Sequence, residues 1–240
     1  MILILRVLFS AVFFIIVCFF GSIWCLFSPK NPKNIIIFGK IFGILTHVLG
    51  LTIKLKQHYF FKKNAIYISN HQNNYDLIIA AKIVQKRTLT IGKKSLKWIP
   101  LFGQLYWLTG NIFIDRKNFI KSYHVISNQV ITALKKKHVS FWIFPEGKRS
   151  YSSKLLPFKT GAFYAAIKAN VPIIPIVISN TNKIRLNKLN NGTIIVKVLK
   201  PIYYKQMNIQ SERQLAYFCH KLMASALEKI NKEAIEIKKL

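Results

Sequence analysis

The chain has 240 residues, 52% of them hydrophobic, and a formal charge of +30 from 37 Lys and Arg against 7 Asp and Glu. Two of its three cysteines, Cys18 and Cys25, lie in an apolar N-terminus and the third, Cys219, far away, so there is neither a disulfide framework nor a metal-ligand spacing. A reducing cytoplasmic compartment fits. The charge suits three partners: nucleic acid, an anionic membrane surface or a phosphorylated substrate. Lys, Ile and Asn also recur in plain stretches such as 180–191, so part of the charge is compositional bias.

The scarcity of acids is more selective. Asp76 and Asp115 are the only aspartates. Glu212, Glu228, Glu233 and Glu236 fall on a predicted C-terminal helix and read as its solvated face. Asp76, Asp115 and Glu146 remain as acids in need of an explanation.

From Val7 to Phe27 there are 21 residues without a charge. As a helix of ~1.5 Å rise per residue they match a hydrocarbon layer of ~30 Å. A cleaved signal peptide is the competing reading; the run is long for one, and no clear small-x-small site follows it. A second apolar stretch, Ile35 to Ile53, is broken by Lys40 and His47 and reads as a half-buried or interfacial helix. Lys30, Lys33 and Lys40 after the first segment place the downstream chain on the cytoplasmic side. Residues 1–53 are therefore expected to be membrane-anchoring helices, and residues 54–240 a single domain.

Within that domain, strands are predicted at 65–69, 88–91, 111–114, 141–144, 173–179 and 193–199. Helices are predicted at 77–84, 119–138 and 160–170, with a last helix opened by Ser211 and a possible capping box to Gln214. Pro172 and Pro175 point to a strand start or a sheet edge. Strands alternating with helices predict an α/β domain.

Three loops between these elements carry chemistry. The first is Asn70-His71-Gln72-Asn73-Asn74-Tyr75-Asp76, directly after the 65–69 strand. Five residues apart on one helix, His71 and Asp76 would be about 140° apart. They meet only if His71 lies in the turn and Asp76 in the first helical turns. A carboxylate on one imidazole nitrogen then sets the tautomer and leaves the other free to take a proton. An N-cap cluster with a surface histidine accounts for the same residues.

The second loop follows Gly110-Asn111-Ile112-Phe113-Ile114-Asp115-Arg116, a strand ending on an arginine suited to phosphate, or paired simply with Asp115. The third is Phe144-Pro145-Glu146-Gly147-Lys148-Arg149-Ser150, where Pro stops a strand and Gly permits a tight loop with exposed N–H groups. It suits an anion or is an ordinary polar turn. A fourth block, Val171-Pro172-Ile173-Ile174-Pro175-Ile176, holds no reactive group and reads as a core strand.

Together and in this order, the four blocks resemble the glycerolipid acyltransferase family, whose pattern is NHxxxxD, GxxFIxR, FPEGTRS and VPIxPV. The runs GKKSLKWIPLFGQLYWLTGN and LLPFKTGAFYAAI are similar to those of its bacterial members that acylate lysophosphatidic acid. Two positions depart from the pattern: Lys148 stands in place of Thr, and Ile176 in place of Val.

The resemblance implies a fold with a central mixed sheet flanked by helices, preceded by N-terminal membrane-associated helices. It implies transfer of an acyl group from acyl-CoA or acyl-carrier protein to the sn-2 hydroxyl of lysophosphatidic acid at the cytoplasmic face of the inner membrane. In that scheme His71 is the general base and Asp76 orients it. Arg116, Arg149 and Lys93, with Lys94 as its competitor, are candidates for the substrate phosphate. Gly110 and Phe113 join them from the second block, and Glu146 and Gly147 shape the acceptor loop. No metal or cofactor is called for. Anionic lipid is an expected partner and nucleic acid is not, since no nucleic-acid fold signature is present. A Ser-His-Asp hydrolase lacks its G-x-S-x-G elbow here.

Overall fold

The computed structural model describes residues 1–56, 64–115, 118, 122–123, 125–207 and 209–237. Three helices lead: α1 (Ile2–Leu26), α2 (Pro32–Gly43) and α3 (Leu45–Val48). The strands are β1 (Leu51–Lys56), β2 (Ile66–Ser69), β3 (Thr88–Lys93), β4 (Ile112–Ile114), β5 (Ser140–Ile143), β6 (Ile173–Ile178) and β7 (Gly192–Val198). Between and after them run α4 (Tyr75–Ile83), α5 (Phe102–Leu108), α6 (Ile131–Lys136), α7 (Gly161–Ala169) and α8 (Glu212–Ile237). A π-helical stretch, Val125–Val130, leads into α6. The expected helix over 119–138 is thus present where it is described up to Lys136, two residues short of the expected end; residues 119–121 and 124 lie outside the described residues.

The strands form one seven-stranded sheet in the order β1-β7-β6-β2-β5-β3-β4. The central mixed α/β sheet expected from the sequence is what the chain forms. Strands β2 to β6 run parallel to one another, and β7 runs antiparallel to β6. Alternate residues face opposite layers, as period-2 geometry requires. Ile66, Ile68 and Phe141 pack on one side with Leu134, Phe163 and Met223 from α6, α7 and α8. Tyr67, Trp142 and Ile174 pack on the other with Ile79 and Ala80 of α4.

Two expectations differ from this. Pro172 and Pro175 point to a strand start or a sheet edge; Pro172 directly precedes β6, but Pro175 is its third residue and β6 is interior, flanked by β2 and β7. The missing N–H falls just before the first ladder pair with β7, Ile176 opposite Val198. The Pro175 carbonyl still accepts from Leu199 N at 2.9 Å. The second difference is that residues 51–53, expected at the end of an interfacial helix, open β1, which pairs with β7 from Leu51 onward. The alternation Leu-Thr-Ile-Lys-Leu-Lys carries a strand period, and Gly50, at φ +65°, turns the chain before it.

The second apolar stretch is therefore the greater part of α2, then the short α3 and the start of β1, and α2 packs on the domain. Its glycines allow that approach. A Cβ on Gly39 would stand 2.5 Å from Val84 Cγ1, and one on Gly43 would stand 2.7 Å from Lys82 Cα. Ile35 and Phe38 are buried on the same helix.

Among the described residues one helix, α1, is long and apolar enough to cross a membrane by length and composition. Much of it is exposed, including Phe9, Ile16, Phe20 and Trp24. Both its ends are tied to the same body. Near the N-terminus the buried Arg6 guanidinium donates to the carbonyls of Leu186 (3.0 Å), Leu189 (2.7 Å) and Lys188, in the β6–β7 loop. Near the C-terminus Cys18 and Cys25 pack with Phe38, Leu105 and Leu108, and Lys30 N donates to Leu108 O at 2.7 Å.

The α2–α4 approach leaves no room for a methyl group backed by main chain. Gly43→Ala should therefore lower stability by about 1–3 kcal/mol, seen as a reduced thermal unfolding temperature of the full-length chain.

Candidate active site

All five parallel strands end at the same edge of the sheet, where ligands of open α/β sheets bind. His71 follows β2, Lys93 ends β3, Asp115 follows β4, Glu146 to Arg149 follow β5, and Thr181 follows β6. The seemingly unhelpful five-residue spacing of His71 and Asp76 is resolved as a turn. Asp76 stands in the first turn of α4, where an acid also suits the helix dipole. The loop before it curls back onto its carboxylate.

Asp76 is fully buried and His71 nearly so. His71 Nδ1 lies 3.2 Å from Asp76 Oδ2. The same oxygen accepts from Asn73 N at 2.8 Å and from Gln72 N. Asp76 Oδ1 accepts from Thr181 Oγ1 at 2.9 Å. A carboxylate at Nδ1 requires the proton on that nitrogen and leaves Nε2 as the free base. The imidazole is also held flat: Phe144 stacks on it with centroids 4.3 Å apart and 25° between planes.

The third block is joined to the first along its backbone. Glu146 Oε1 accepts from His71 N at 2.7 Å, and Oε2 accepts from Leu156 N at 2.9 Å. Ser150 N donates to His71 O at 2.8 Å and Tyr151 N to Gln72 O at 3.0 Å. Glu146 is buried and acts here as a clamp between loops. Burial pushes its carboxyl up to about 7; the two N–H donors oppose that rise and the neighbouring Asp76 charge adds to it. Gly147 turns the chain at φ +71°, a conformation that favours glycine.

Arg149 is aimed by neutral partners. Its Nη1 donates to Asn74 Oδ1 at 2.7 Å, and its guanidinium lies 5.3 Å from the Tyr151 ring centroid. Lys148 beside it is exposed, as is Lys93 at the end of β3.

The structure does not bring every expected residue to the dyad. Gly110, at φ +90°, precedes β4 and so lies at the amino ends of the parallel strands, the edge opposite His71. There it closes the turn after α5, its N–H donating to Trp107 O at 2.9 Å. Phe113, in the middle of β4, packs its ring 5.1 Å from that of Tyr106. Arg116 lies outside the described residues. Reading the sequence missed Phe144, Asn74 and Thr181. Phe144 adjoins Pro145 and Asn74 lies inside the first block, so both stood in view without a reason to choose them. Thr181 lies in the stretch set aside as compositional bias.

The family model described as Acyltransferase matches residues 50–179, from the turn before β1 to the end of β6. The chain belongs to the acyltransferase family. It is 51% identical over 98% of its length to a 1-acyl-sn-glycerol-3-phosphate acyltransferase of Salmonella typhimurium, covering 97% of that relative. The enzyme of the same name from Escherichia coli is 50% identical over the same shares. That of Haemophilus influenzae is 44% identical over 97% of this chain and 98% of the relative. The crystal structure of a 1-acyl-sn-glycerophosphate (LPA) acyltransferase from Thermotoga maritima shares the fold, with a TM-score of 0.75 at 23% identity, covering 96% of this chain and 98% of that one. Among the described residues no group of three or more His, Cys, Asp or Glu is placed to hold a metal ion.

The raised Glu146 carboxyl has a consequence for this acyltransferase fold. The folded state holds the Glu146 proton more tightly than the unfolded chain, whose carboxyl ionises near 4.5. Where the native state binds more protons, stability falls as pH rises. The difference in stability between wild type and Glu146→Gln should therefore move against the wild type between pH 5 and about 7. Thermal unfolding of both proteins across that range measures it.

Proposed function

We propose that this chain transfers a fatty acyl group from a thioester carrier to the sn-2 hydroxyl of lysophosphatidic acid, forming phosphatidic acid for phospholipid synthesis. The observation that carries this reading is a buried His71–Asp76 pair, 3.2 Å apart, in a chain half identical end to end to bacterial enzymes of that name. His71 Nε2 takes the proton of the sn-2 hydroxyl as its oxygen attacks the thioester carbonyl. A C–O bond forms, the C–S bond breaks, and the imidazolium returns its proton to the departing thiolate. The acceptor supplies the nucleophile, so no acyl-enzyme is needed. Asp76 holds the reactive tautomer and stabilises the imidazolium.

Acyl-CoA and acyl-carrier protein are both donors of the required chemistry. Arg149 and Lys93, at the same sheet edge as His71, and Arg116, after β4, are assigned to the acceptor phosphate. A planar guanidinium suits it best.

The protein is assigned to the cytoplasmic face of the inner membrane, with the helices before β1 as the attachment and the chain from Leu51 onward as the acyltransferase domain. A helix of 25 residues is about 37 Å long, but both ends of α1 are bound to one body. Such a helix lies along the bilayer surface, with its apolar side in the acyl layer and anionic headgroups around the basic domain. A one-chain acceptor then reaches the site from the lipid side.

Three outcomes test these assignments. His71→Ala should lower turnover by about 10²–10⁴-fold with unfolding temperature unchanged, and Asp76→Asn should also lower it severely; an assay with lysophosphatidic acid and a panel of donors measures both. Arg149→Ala should raise KM for lysophosphatidic acid roughly ten- to hundredfold and that for the donor far less; selective loss of donor affinity reassigns it. In sealed membranes, a protease on the cytoplasmic side should remove a tag placed before Met1 as well as one after Leu240. A tag before Met1 that survives until the membrane is opened would mean that α1 crosses it.

A further inference from the structure

One hydroxyl of the site comes from outside all four sequence blocks. Thr181 lies two residues beyond the span matched by the family model and is fully buried. Its Oγ1 donates to Asp76 Oδ1 at 2.9 Å. The segment around it is fastened to the same loop. Gln72 Nε2 donates to Ser179 O at 3.1 Å, Thr181 N to Gln72 Oε1 at 3.3 Å, and Asn73 Nδ2 to Asn182 Oδ1 at 3.1 Å.

The two oxygens of Asp76 have different work. Oδ2 serves His71 Nδ1 and two backbone N–H groups, all from residues 71–73. Oδ1 faces Thr181 alone among its hydrogen-bond donors in the described residues. The last torsion of an aspartate is broad and roughly two-fold, so bonds on one oxygen leave the carboxylate free to tilt. A second bond at the other oxygen sets its plane. We propose that Thr181 is a positioning residue for the reaction: its hydroxyl fixes the plane of the Asp76 carboxylate and, through it, the tautomer and aim of His71. This rests on the reading of His71 as the base and Asp76 as its orienter.

Val and Ser separate this role from simple packing. Val keeps the shape of Thr and loses the hydroxyl; Ser keeps the hydroxyl and loses a methyl. A packing role makes Ser the more damaging change, and a positioning role makes it Val. Because Thr181 bonds to Asp76, its loss should fall on turnover and spare substrate binding.

The test is steady-state kinetics of the full-length chain in membranes, with thermal unfolding measured in parallel. Thr181→Val should lower kcat about tenfold, the worth of a hydrogen bond to a charged group, while both KM values move less than about twofold. Thr181→Ser should restore most of kcat. In an Asp76→Asn background Thr181→Val should cost little more. Wild-type kcat in Thr181→Val, equal losses in Val and Ser, or a loss confined to KM overturns the proposal. If Thr181→Val does not fold, Thr181→Ala against Thr181→Ser makes the same comparison. Near-normal turnover by folded His71→Ala removes the dyad reading itself, and this proposal with it, whereas a damaged His71→Ala beside an unaffected Thr181→Val removes this proposal alone.

Discussion

Asp76 has no contact with solvent, and an ionised carboxylate in that position is costly unless its lone pairs are met. Meeting them shapes the surrounding chain. Gln72, Asn73 and His71 all turn their donors onto one oxygen, so the β2–α4 connection must curl around the start of α4. The other oxygen draws in Thr181 from the end of β6. Asn70 ties the same loop to β6, its side chain exchanging two bonds of 2.8 Å with the backbone of Ile178. The position of α4 matters to all of this, and α4 is seated against α2 by the two glycines that let their backbones approach.

A second buried carboxylate extends the arrangement to the next strand. Glu146 takes the His71 N–H on one oxygen and Leu156 N–H on the other. The loop after β5 is thereby fastened under the loop after β2, and Phe144 lies flat on the imidazole. His71 is thus held from three sides: its ring nitrogen by Asp76, its main chain by Glu146 and its ring face by Phe144. Contacts of this kind fix the position and plane of the ring in advance of any ligand.

The parts of this that could be read from the sequence are those with a local signature. The alternation of strands and helices led to the α/β domain, and the scarcity of acids pointed to Asp76, Asp115 and Glu146 as residues needing an explanation. Ser211 and Gln214 form most of the expected cap: Gln214 N donates to Ser211 Oγ at 3.2 Å, while the Gln214 side chain accepts from Gln210 N at 2.9 Å. What escaped depends on distant pairing. Residues 51–53 become a strand because β7, some 140 residues later, is there to pair with them (a short apolar run is ambiguous without its partner). Pro175 stands inside the sheet, just before the β7 ladder begins. Thr181 sits among Asn and Lys residues with no local pattern, and only the return of β6 to β2 brings it to Asp76.

The same distribution of partners leaves both buried acids without a lysine or arginine ion pair among the described residues. Asp76 and Glu146 are satisfied by backbone N–H groups, a hydroxyl and an imidazole. Among the described residues, the lysine ion pairs engage Glu233 and Glu228 on α8 and neither of the two buried acids. Arg149 is likewise steered by a neutral amide and an aromatic ring. Had a buried carboxylate at this edge taken Arg149 as its partner, the guanidinium would arrive at a phosphate already neutralised, and binding would first have to break a desolvated pair. Neutral donors on the acids and neutral acceptors on the arginine keep the two charge systems apart. The carboxylates hold the imidazole and its loop, and Arg149 stands exposed at the same sheet edge.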